Sequence, residues 1–291
     1  MRSLGLAVIS AALLALVASF AVASPAAAAP SCGTAIKKSI FAYWQCTFSD
    51  DFSGTSLDRT KWIPQRTDQS GYTSGKTACF VDSPNNISVA NGNLVLTARE
   101  EAAPFVCPDP RGYFPTQYTS GMVSTWGRFA QAYGRFEVRA KVSSASVPGL
   151  HTTFWLWPSD ANRYGGWPTS GEIDIAELFS RYADRAIPYI HYTPAAPDPN
   201  VTNNYCLISN PAEYHTYAVE WTTSRIKVIY DGRTCLIDYW KPASPLVKPA
   251  PFDQPFIVAL TQALEIGTYG SSAVTAPLPA STTIDYVRVW K

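Results

Sequence analysis

The sequence predicts an all-β protein, a jelly-roll sandwich of two antiparallel sheets with a concave cleft. Three observations support this fold class. Short segments alternate apolar and polar residues, as strands do. Turn residues separate these segments at close intervals. After the first thirty residues, no segment keeps a helical period over three turns, and chains of many short strands form sandwiches or barrels.

The first thirty residues have the pattern of a signal peptide. Arg2 precedes an apolar and small run from Leu4 to about Ser24, and the stretch PAAAAP follows. An uncleaved membrane anchor is the alternative, because the run is about as long as a bilayer requires. Cleavage is favoured because A-x-A sites follow at once and no basic cluster stops transfer. We therefore expect a secreted, extracellular protein in which residues 31–291 form a single domain.

Composition restricts the class of partner. The formal net charge is +1 and only 15% of the residues are charged. Such a chain lacks the positive surface that nucleic acid or anionic lipid requires. We therefore expect a neutral partner, and no membrane association once the leader is removed. The protein is also expected to be a monomer.

All six cysteines follow the leader, and an even number in an exported chain favours disulfides. Six cysteines allow 15 pairings, and joining neighbours in order is one guess among them. The chain has no C-x-x-C motif and only three histidines, which argues against zinc.

Strands can be placed along most of the chain. Residues 87–98 alternate on either side of Asn91-Gly92, which predicts a tight hairpin. Residues 133–142 alternate again, with one face expected to be solvated. Residues 215–240 hold three strand patterns separated by TTS and DG turns, which predicts a meander. FIVALTQAL and TTIDYVRVW supply the last strands.

The motif GEIDIAE places three acids in an apolar strand. Glu172 and Asp174 are two apart and share a face, while Ile173 and Ile175, which alternate with them, face the core. Glu177 would point away under strict alternation. A β-bulge near Ala176 would return it to the face of the other two acids.

Three like charges on one strand face, with no Lys or Arg among them, suit an active site better than a solvated surface. Retaining glycoside hydrolysis needs two carboxyls, one ionised and one protonated. The middle acid would help to keep one glutamic acid protonated near neutral pH. Without its flanks, E-x-D-x-x-E also fits a calcium site or a polar strand face.

Aromatic residues flank the motif. Trp155 and Trp157 share one face of a predicted strand, and Trp167 lies in a Gly- and Pro-rich loop five residues before Glu172. Sugar rings stack on such side chains. A place in the core is the competing interpretation for Trp155 and Trp157. His191, on the next predicted strand, either approaches the acids or is structural.

At these residues the sequence resembles glycoside hydrolase family 16, the β-glucanase, laminarinase and agarase group. The resemblance runs from about Phe48 to Trp290. Its blocks, in order, are FSDDFSGTSLDRTKW, NISVANGNLVLTARE, YTSGMVSTWGRFAQAYGRFEVRAKV, FWLWP, GGWPTSGEIDIAE, HTYAVEW and TTIDYVRVW. It implies a β-jelly roll that hydrolyses polysaccharide with no organic cofactor.

The resemblance also implies roles for residues. Glu172 is the expected nucleophile, Asp174 the assisting residue and Glu177 the acid/base. The six-residue motif resembles the laminarinase-like and agarase-like branch rather than the lichenases. Trp167 is expected to line the subsite at the scissile bond, and His191 to reach the sugar.

Two departures from the family pattern concern the cleft. His151 stands where relatives acting on β-1,3-glucan often have tryptophan. LTQALEIG replaces a run such as L-N-L-A-V-G-G, with Gln262 near the expected polar position. We expect both positions, together with Trp155, to contact substrate. Some relatives bind a structural calcium ion on the convex side. In this chain the expected ligands are Asp51 and Asp285.

The expected function is therefore a secreted, endo-acting, retaining hydrolase of β-glucan, with β-1,3 linkages preferred. A galactan-cleaving relative and a transglycosylase are alternatives within the same family. A non-catalytic glucan-binding lectin is a third alternative, but it would have no need of both outer glutamates.

Overall fold

The computed structural model describes residues 30–73, 77–265 and 274–291, so the predicted leader lies outside it except for residue 30. Within those ranges no helix is long and apolar enough to cross a bilayer. The helical elements are α1 (Thr67–Ser70) and a 3₁₀ turn at Pro199–Val201. The strands are β1 (Lys37–Ser39), β2 (Ala42–Tyr43), β3 (Cys46–Asp50), β4 (Ile63–Pro64), β5 (Ala78–Phe80), β6 (Ile87–Ala90), β7 (Asn93–Asp109), β8 (Gly112–Ser124), β9 (Gly134–Lys141), β10 (Leu150–Pro158), β11 (Glu172–Phe179), β12 (Ile187–His191), β13 (His215–Trp221), β14 (Ile226–Tyr230), β15 (Arg233–Asp238), β16 (Phe256–Leu264) and β17 (Ala280–Trp290).

All strands after β2 belong to one curved hydrogen-bonded sheet. Its order is β12-β11-β10-β16-β8-β7-β17-β9-β13-β14-β15, with β3, β4, β5 and β6 paired beside this path. Every pairing is antiparallel except that of β5 with β8. The strands at the two ends of this order form two layers that face each other across the core. The predicted all-β jelly roll is confirmed.

The core lies between these two layers. Phe154 of β10 is fully buried and lies 5.3 Å from the ring of Tyr217 in β13. The hydroxyl of Tyr230 donates a 2.8 Å hydrogen bond to the carbonyl of Ile175 in β11. Because such contacts join β10 and β11 to the opposite layer, the core sets the position of the acidic strand.

Phe154→Ala should lower the free energy of unfolding by about 3–5 kcal/mol, because it leaves a cavity beneath the acidic strand. Phe41→Ala is the matched control: its ring is 91% exposed, and a change within about 0.5 kcal/mol is expected. Denaturant unfolding of both variants measures the difference. A loss below about 1 kcal/mol for Phe154→Ala would contradict this account of the core.

The predicted hairpin and meander are both present. Asn91 and Gly92 have φ of 53° and 70°, as a tight hairpin turn requires, and they join β6 to β7. Asp231 and Gly232, with φ of 47° and 77°, join β14 to β15.

The cysteines pair in sequence order, as Cys32–Cys46, Cys79–Cys107 and Cys206–Cys235. The second bridge ties β5 to the far part of β7. By restricting the unfolded chain, each bridge stabilises the fold.

The outer face of β9 is less exposed than its alternation predicts. Arg135 lies between Glu137 at 2.5 Å and Glu220 at 2.8 Å, and Tyr286 donates to Glu137 at 2.9 Å. The reason is that β13 and β17 flank β9 and cover it with long side chains. This face is therefore a half-buried ion network.

Candidate active site

The three acids lie on the cleft face of β11 because the strand contains a bulge. The register against β12 shifts between Asp174 and Glu177, and the register against β10 passes from Asp174 directly to Ala176. Ile175 and Ala176 are both fully buried. Two successive residues thus face the core, which turns Glu177 to the same face as Glu172. The predicted bulge is confirmed.

Strand β10 supplies the floor beside the acids. Trp155 and Trp157 lie on its cleft face with ring centroids 5.8 Å apart. Trp155 is only 8% exposed, and its indole nitrogen donates to Thr261 Oγ1 at 3.0 Å. Its ring therefore both packs against neighbours and lines the cleft.

An open cleft of about 700 Å³ ends at Glu172. Most of its lining residues are uncharged, and five of the fifteen are aromatic. The lining residues are Ile63, Pro64, Gln65, Arg66, Gln69, Ser70, Tyr72, Met122, Ser124, Trp126, Trp155, Trp157, Trp167, Glu172 and Ile257. Four tryptophans offer flat apolar faces, which suit pyranose rings.

Trp167 contacts Glu172 directly. Its ring is 57% exposed, and its Nε1–H donates to Glu172 Oε2 at 2.5 Å. The loop before β11 thus presents one edge of the indole to the acid and a face to the cleft. Trp167 thus lies in the cleft beside Glu172, and its contact with the sugar at the scissile bond stays a prediction.

His191 contacts the middle acid. It lies opposite Glu172 in the β11–β12 register, and its Nε2 is 3.1 Å from Asp174 Oδ2. The ring stacks on Tyr189 at 4.1 Å. Burial lowers the pKa of His191 and so favours the neutral imidazole, while the charges of Glu172 and Glu177 act in the opposite direction.

The carboxyls have shifted pKa values. Burial raises the pKa of Asp174 well above its usual range, and the charge of Glu177 adds to this. Burial also raises the pKa of Glu172 to about 8; Asp174 contributes in the same direction, while His191 and Trp167 oppose it. Both shifts favour the neutral form of these two carboxyls, which reduces the repulsion among the three acids.

Glu177 has different neighbours. His151 Nε2 lies 3.0 Å from Glu177 Oε1, and Thr153 Oγ1 lies 3.0 Å from the same nitrogen. A second cavity, of about 200 Å³, opens on the Glu177 side. A larger share of its lining residues is charged, including the ion pair of Arg181 with Glu265. The acids thus separate an aromatic cleft from a polar pocket.

Comparison with known proteins places this geometry in a family. The model of the family described as "Beta-porphyranase A-D, GH16 domain" matches residues 44–291. The chain belongs to glycoside hydrolase family 16.

Relatives of this family 16 chain differ in the glycan they are named for. The chain is 30% identical to glucan endo-1,3-beta-glucosidase A1 of Niallia circulans, over 85% of this chain and 37% of that protein. It is 28% identical to keratan-sulfate endo-1,4-beta-galactosidase of Sphingobacterium multivorum, over 85% of this chain and 55% of that protein. It is 31% identical to the beta-glucanase of Rhodothermus marinus, over 86% of each. The chain thus spans about a third and about half of the first two relatives' lengths.

Solved structures are similar over the same part of the chain. The endo-beta-1,3-glucanase of Pyrococcus furiosus matches with a TM-score of 0.71 at 25% identity, covering 86% of this chain and 95% of that one. The laminarinase of Rhodothermus marinus matches with a TM-score of 0.68 at 29% identity, covering 85% and 97%.

One predicted cleft residue in this family 16 protein points elsewhere. Gln262 is fully buried between the layers, where its Oε1 accepts hydrogen bonds from Thr152 at 2.8 Å and Thr282 at 2.6 Å. The register pairs Gln262 with Thr152, on the core face of β10, whereas its neighbour Thr261 faces the cleft. The prediction that Gln262 contacts substrate is wrong.

The predicted calcium ligands have other contacts. Asp285 accepts a 2.5 Å hydrogen bond from Arg139, and Asp51 accepts one from the backbone N–H of Ser53 at 3.3 Å. Within the described ranges neither belongs to a group of three metal-ligating side chains. These residues do not fit a calcium site as they stand, and structural calcium stays a prediction.

Glu172, Asp174 and His191 do form such a group, with ligand atoms within 4.8 Å of one another. The hydrogen bond from Trp167 and the contact of His191 with Asp174 already satisfy these atoms. This arrangement suits proton control at the acids.

Tyr72 and Trp126 line the cleft but were not predicted. Tyr72 stacks on Phe80 at 5.5 Å and approaches Trp155 at 6.1 Å. Both residues come from loops far from the acidic motif, and no local pattern marks them. Their place in the cleft depends on packing between distant parts of the chain, such as the contacts of Tyr72 with Phe80 and Trp155.

Glu172→Gln should raise the free energy of unfolding, by about 1–3 kcal/mol at pH 8. Between pH 4.5 and 8 the folded protein keeps a proton on Glu172 that the unfolded chain releases, so stability falls as pH rises. Gln removes this loss. Thermal melting at pH 4.5 and at pH 8 should show a gain only at the higher pH; equal gains would contradict the assignment.

Proposed function

We propose that this protein is a secreted, extracellular family 16 hydrolase that cleaves a neutral β-glucan internally and with retention, preferring β-1,3 linkages. The observation that carries the proposal is the position of Glu172 and Glu177. They lie on one strand face, with an aromatic cleft on the Glu172 side and a polar pocket on the Glu177 side. An open cleft suits an internal stretch of polysaccharide.

The chemistry needs only residues of this chain. The sugar attacked at C1 lies in the aromatic cleft, and the leaving sugar lies in the pocket beside Glu177. The carboxylate of Glu172 bonds to C1 while Glu177 protonates the departing oxygen. Water then attacks C1, Glu177 takes its proton, and the Glu172 ester breaks.

Cleft charge supports a neutral substrate. Among the described lining residues, Arg66 is the cation, and its guanidinium is paired with Asp68 at 2.5 Å. The two relatives named for glucans point in the same direction.

A galactan is the second candidate. The matching family model is that of porphyranases, and one relative is named for keratan sulfate. His151 at the cleft edge, where the resemblance leads us to expect tryptophan, favours the same alternative. A transglycosylase would use the same intermediate but release products longer than the substrate.

Product profiling over time tests the proposal. Laminarin, mixed-linkage glucan, agarose, porphyran and keratan sulfate are incubated with wild-type protein and with Glu172→Gln. Short oligosaccharides from laminarin, with the β-anomer formed first by NMR, are expected from wild type only. Cleavage of a galactan alone would overturn the glucan assignment. Binding without cleavage would support a lectin.

Trp167→Phe should move the acid limb of the kcat/KM profile to higher pH, by about half a pH unit. The indole N–H lowers the pKa of Glu172, and the reactive form of Glu172 is ionised. Phenylalanine keeps an aromatic face for the sugar but has no donor. Initial rates from pH 4 to 9 measure the shift. An unmoved acid limb would contradict this role of the indole.

A further inference from the structure

His151 contacts the acid/base more closely than any sequence pattern suggested. It lies on β10, two residues before Thr153, which is the register partner of Glu177 on β11. Its Nε2 is 3.0 Å from Glu177 Oε1. The contact therefore crosses between adjacent strands on the cleft face, beside the pocket for the leaving group.

The ring of His151 is held in place from two sides. It stacks on Phe179 with centroids 4.3 Å apart and planes only 7° from parallel. Thr153 Oγ1 contacts the same Nε2 at 3.0 Å. Because Phe179 sets the plane of the ring, Nε2 points at one oxygen of Glu177 rather than toward solvent.

One carboxyl oxygen of Glu177 is thereby fixed and the other remains for chemistry. An acid that protonates a glycosidic oxygen must present one oxygen to it while the carboxyl keeps its orientation. Oε1 is taken by His151, which leaves Oε2 to carry the proton.

We propose that His151 is a positioning residue for Glu177: its Nε2–H donates to Oε1 and directs Oε2 toward the glycosidic oxygen. This proposal rests on the proposed function of Glu177. In the first step the proton on Oε2 passes to the leaving oxygen as the C1–O bond breaks. In the second step Oε2 receives a proton from water. His151 keeps its own proton throughout, so both steps balance without it.

A purely structural role is the alternative. His151 would then serve only to pack on Phe179 and to satisfy Thr153. Its loss would lower stability, or it would lower activity equally on every substrate. The two roles therefore differ in how the loss depends on the leaving group.

The test uses two substitutions at His151 whose side chains differ in length. In His151→Gln the side-chain amide nitrogen can approach the position of Nε2, whereas in His151→Asn it ends near Nδ1. Each is assayed as kcat/KM, which reports the first chemical step, on laminarin and on 2,4-dinitrophenyl β-laminaribioside. The dinitrophenolate departs without a proton, so acid catalysis contributes little to its release.

We expect His151→Asn to lose about 10- to 100-fold on laminarin and less than about threefold on the aryl substrate. His151→Gln should recover most of the laminarin activity. Equal losses on both substrates, or no loss with laminarin, would overturn the proposal. Thermal melting of both variants shows whether the protein is folded.

The variant Glu177→Gln distinguishes a failure of this positioning proposal from a failure of the proposed function on which it rests. It should show the same dependence on leaving group, but with a larger loss on laminarin. If Glu177→Gln follows this pattern and the His151 variants do not, only the positioning proposal fails. If wild type cleaves neither substrate, or Glu177→Gln loses equally on both, the proposed function itself fails.

Discussion

Glu172→Gln is expected to lose about 10⁴-fold or more in kcat/KM on every glycan that the wild-type protein cleaves. The amide of glutamine is nearly the same size as the carboxylate but cannot form the bond to C1. No neighbouring acid is expected to replace it, because Asp174 is buried with a pKa well above its usual range, and Glu177 lies on the side of the second cavity. Rates from reducing-end assays measure the loss.

The fold and the aromatic cleft should survive this change. Binding of laminari-oligosaccharides by calorimetry is the control, because glutamine keeps a side-chain oxygen that can accept the hydrogen bond from Trp167, so the cleft tryptophans should stay in place. A variant that binds and does not cleave is the expected result. A Glu172→Gln protein that keeps more than about a tenth of wild-type activity would contradict the nucleophile assignment.

Glu177→Ala is expected to lose about 10²- to 10⁴-fold on laminarin, because the leaving oxygen then departs without a proton. Sodium azide should restore turnover of 2,4-dinitrophenyl β-laminaribioside and yield the β-glycosyl azide. The small anion fits the space of the missing side chain and attacks the intermediate from the face that water normally uses.

Glu172→Ala provides the matched comparison. Azide would there occupy the nucleophile's place and attack the substrate directly, giving the α-glycosyl azide. NMR of the azide products distinguishes the two. An α-azide from Glu177→Ala, or a β-azide from Glu172→Ala, would mean that the roles are exchanged.

Local patterns explain what could be predicted from the sequence. The bulge that returns Glu177 to the cleft follows from the spacing of the acids against buried neighbours. The turn at Asn91-Gly92 follows from the positive φ that both residues tolerate. These features depend on the pleat and on local backbone preference, which a short stretch of sequence contains.

The errors and omissions arise from register between distant strands. Gln262 was placed in the cleft from its position along the chain, but its face is set by pairing with Thr152. Tyr72 reaches the cleft from a loop about a hundred residues before Glu172. The contact of His151 with Glu177 depends on how β10 aligns with β11. Such alignments are properties of the whole sheet.

The acids also show a cost of the site to the fold. Glu172 and Asp174 are held where burial raises their pKa values, and each would be easier to accommodate as a neutral side chain. The structure retains this arrangement beside Trp167 and His191. The burial that destabilises the folded protein at neutral pH also determines which of these carboxyls tend to carry a proton when a substrate binds.

Trapping of the glycosyl-enzyme tests the central claim most directly. The protein is incubated with 2,4-dinitrophenyl 2-deoxy-2-fluoro-β-laminaribioside, digested, and the labelled peptide is sequenced by mass spectrometry. We predict a label on Glu172, in the peptide containing GEIDIAE, and none in Glu172→Gln. A label on Glu177 or on another residue, or active protein that forms no adduct and releases the inverted anomer, would contradict retaining catalysis by Glu172.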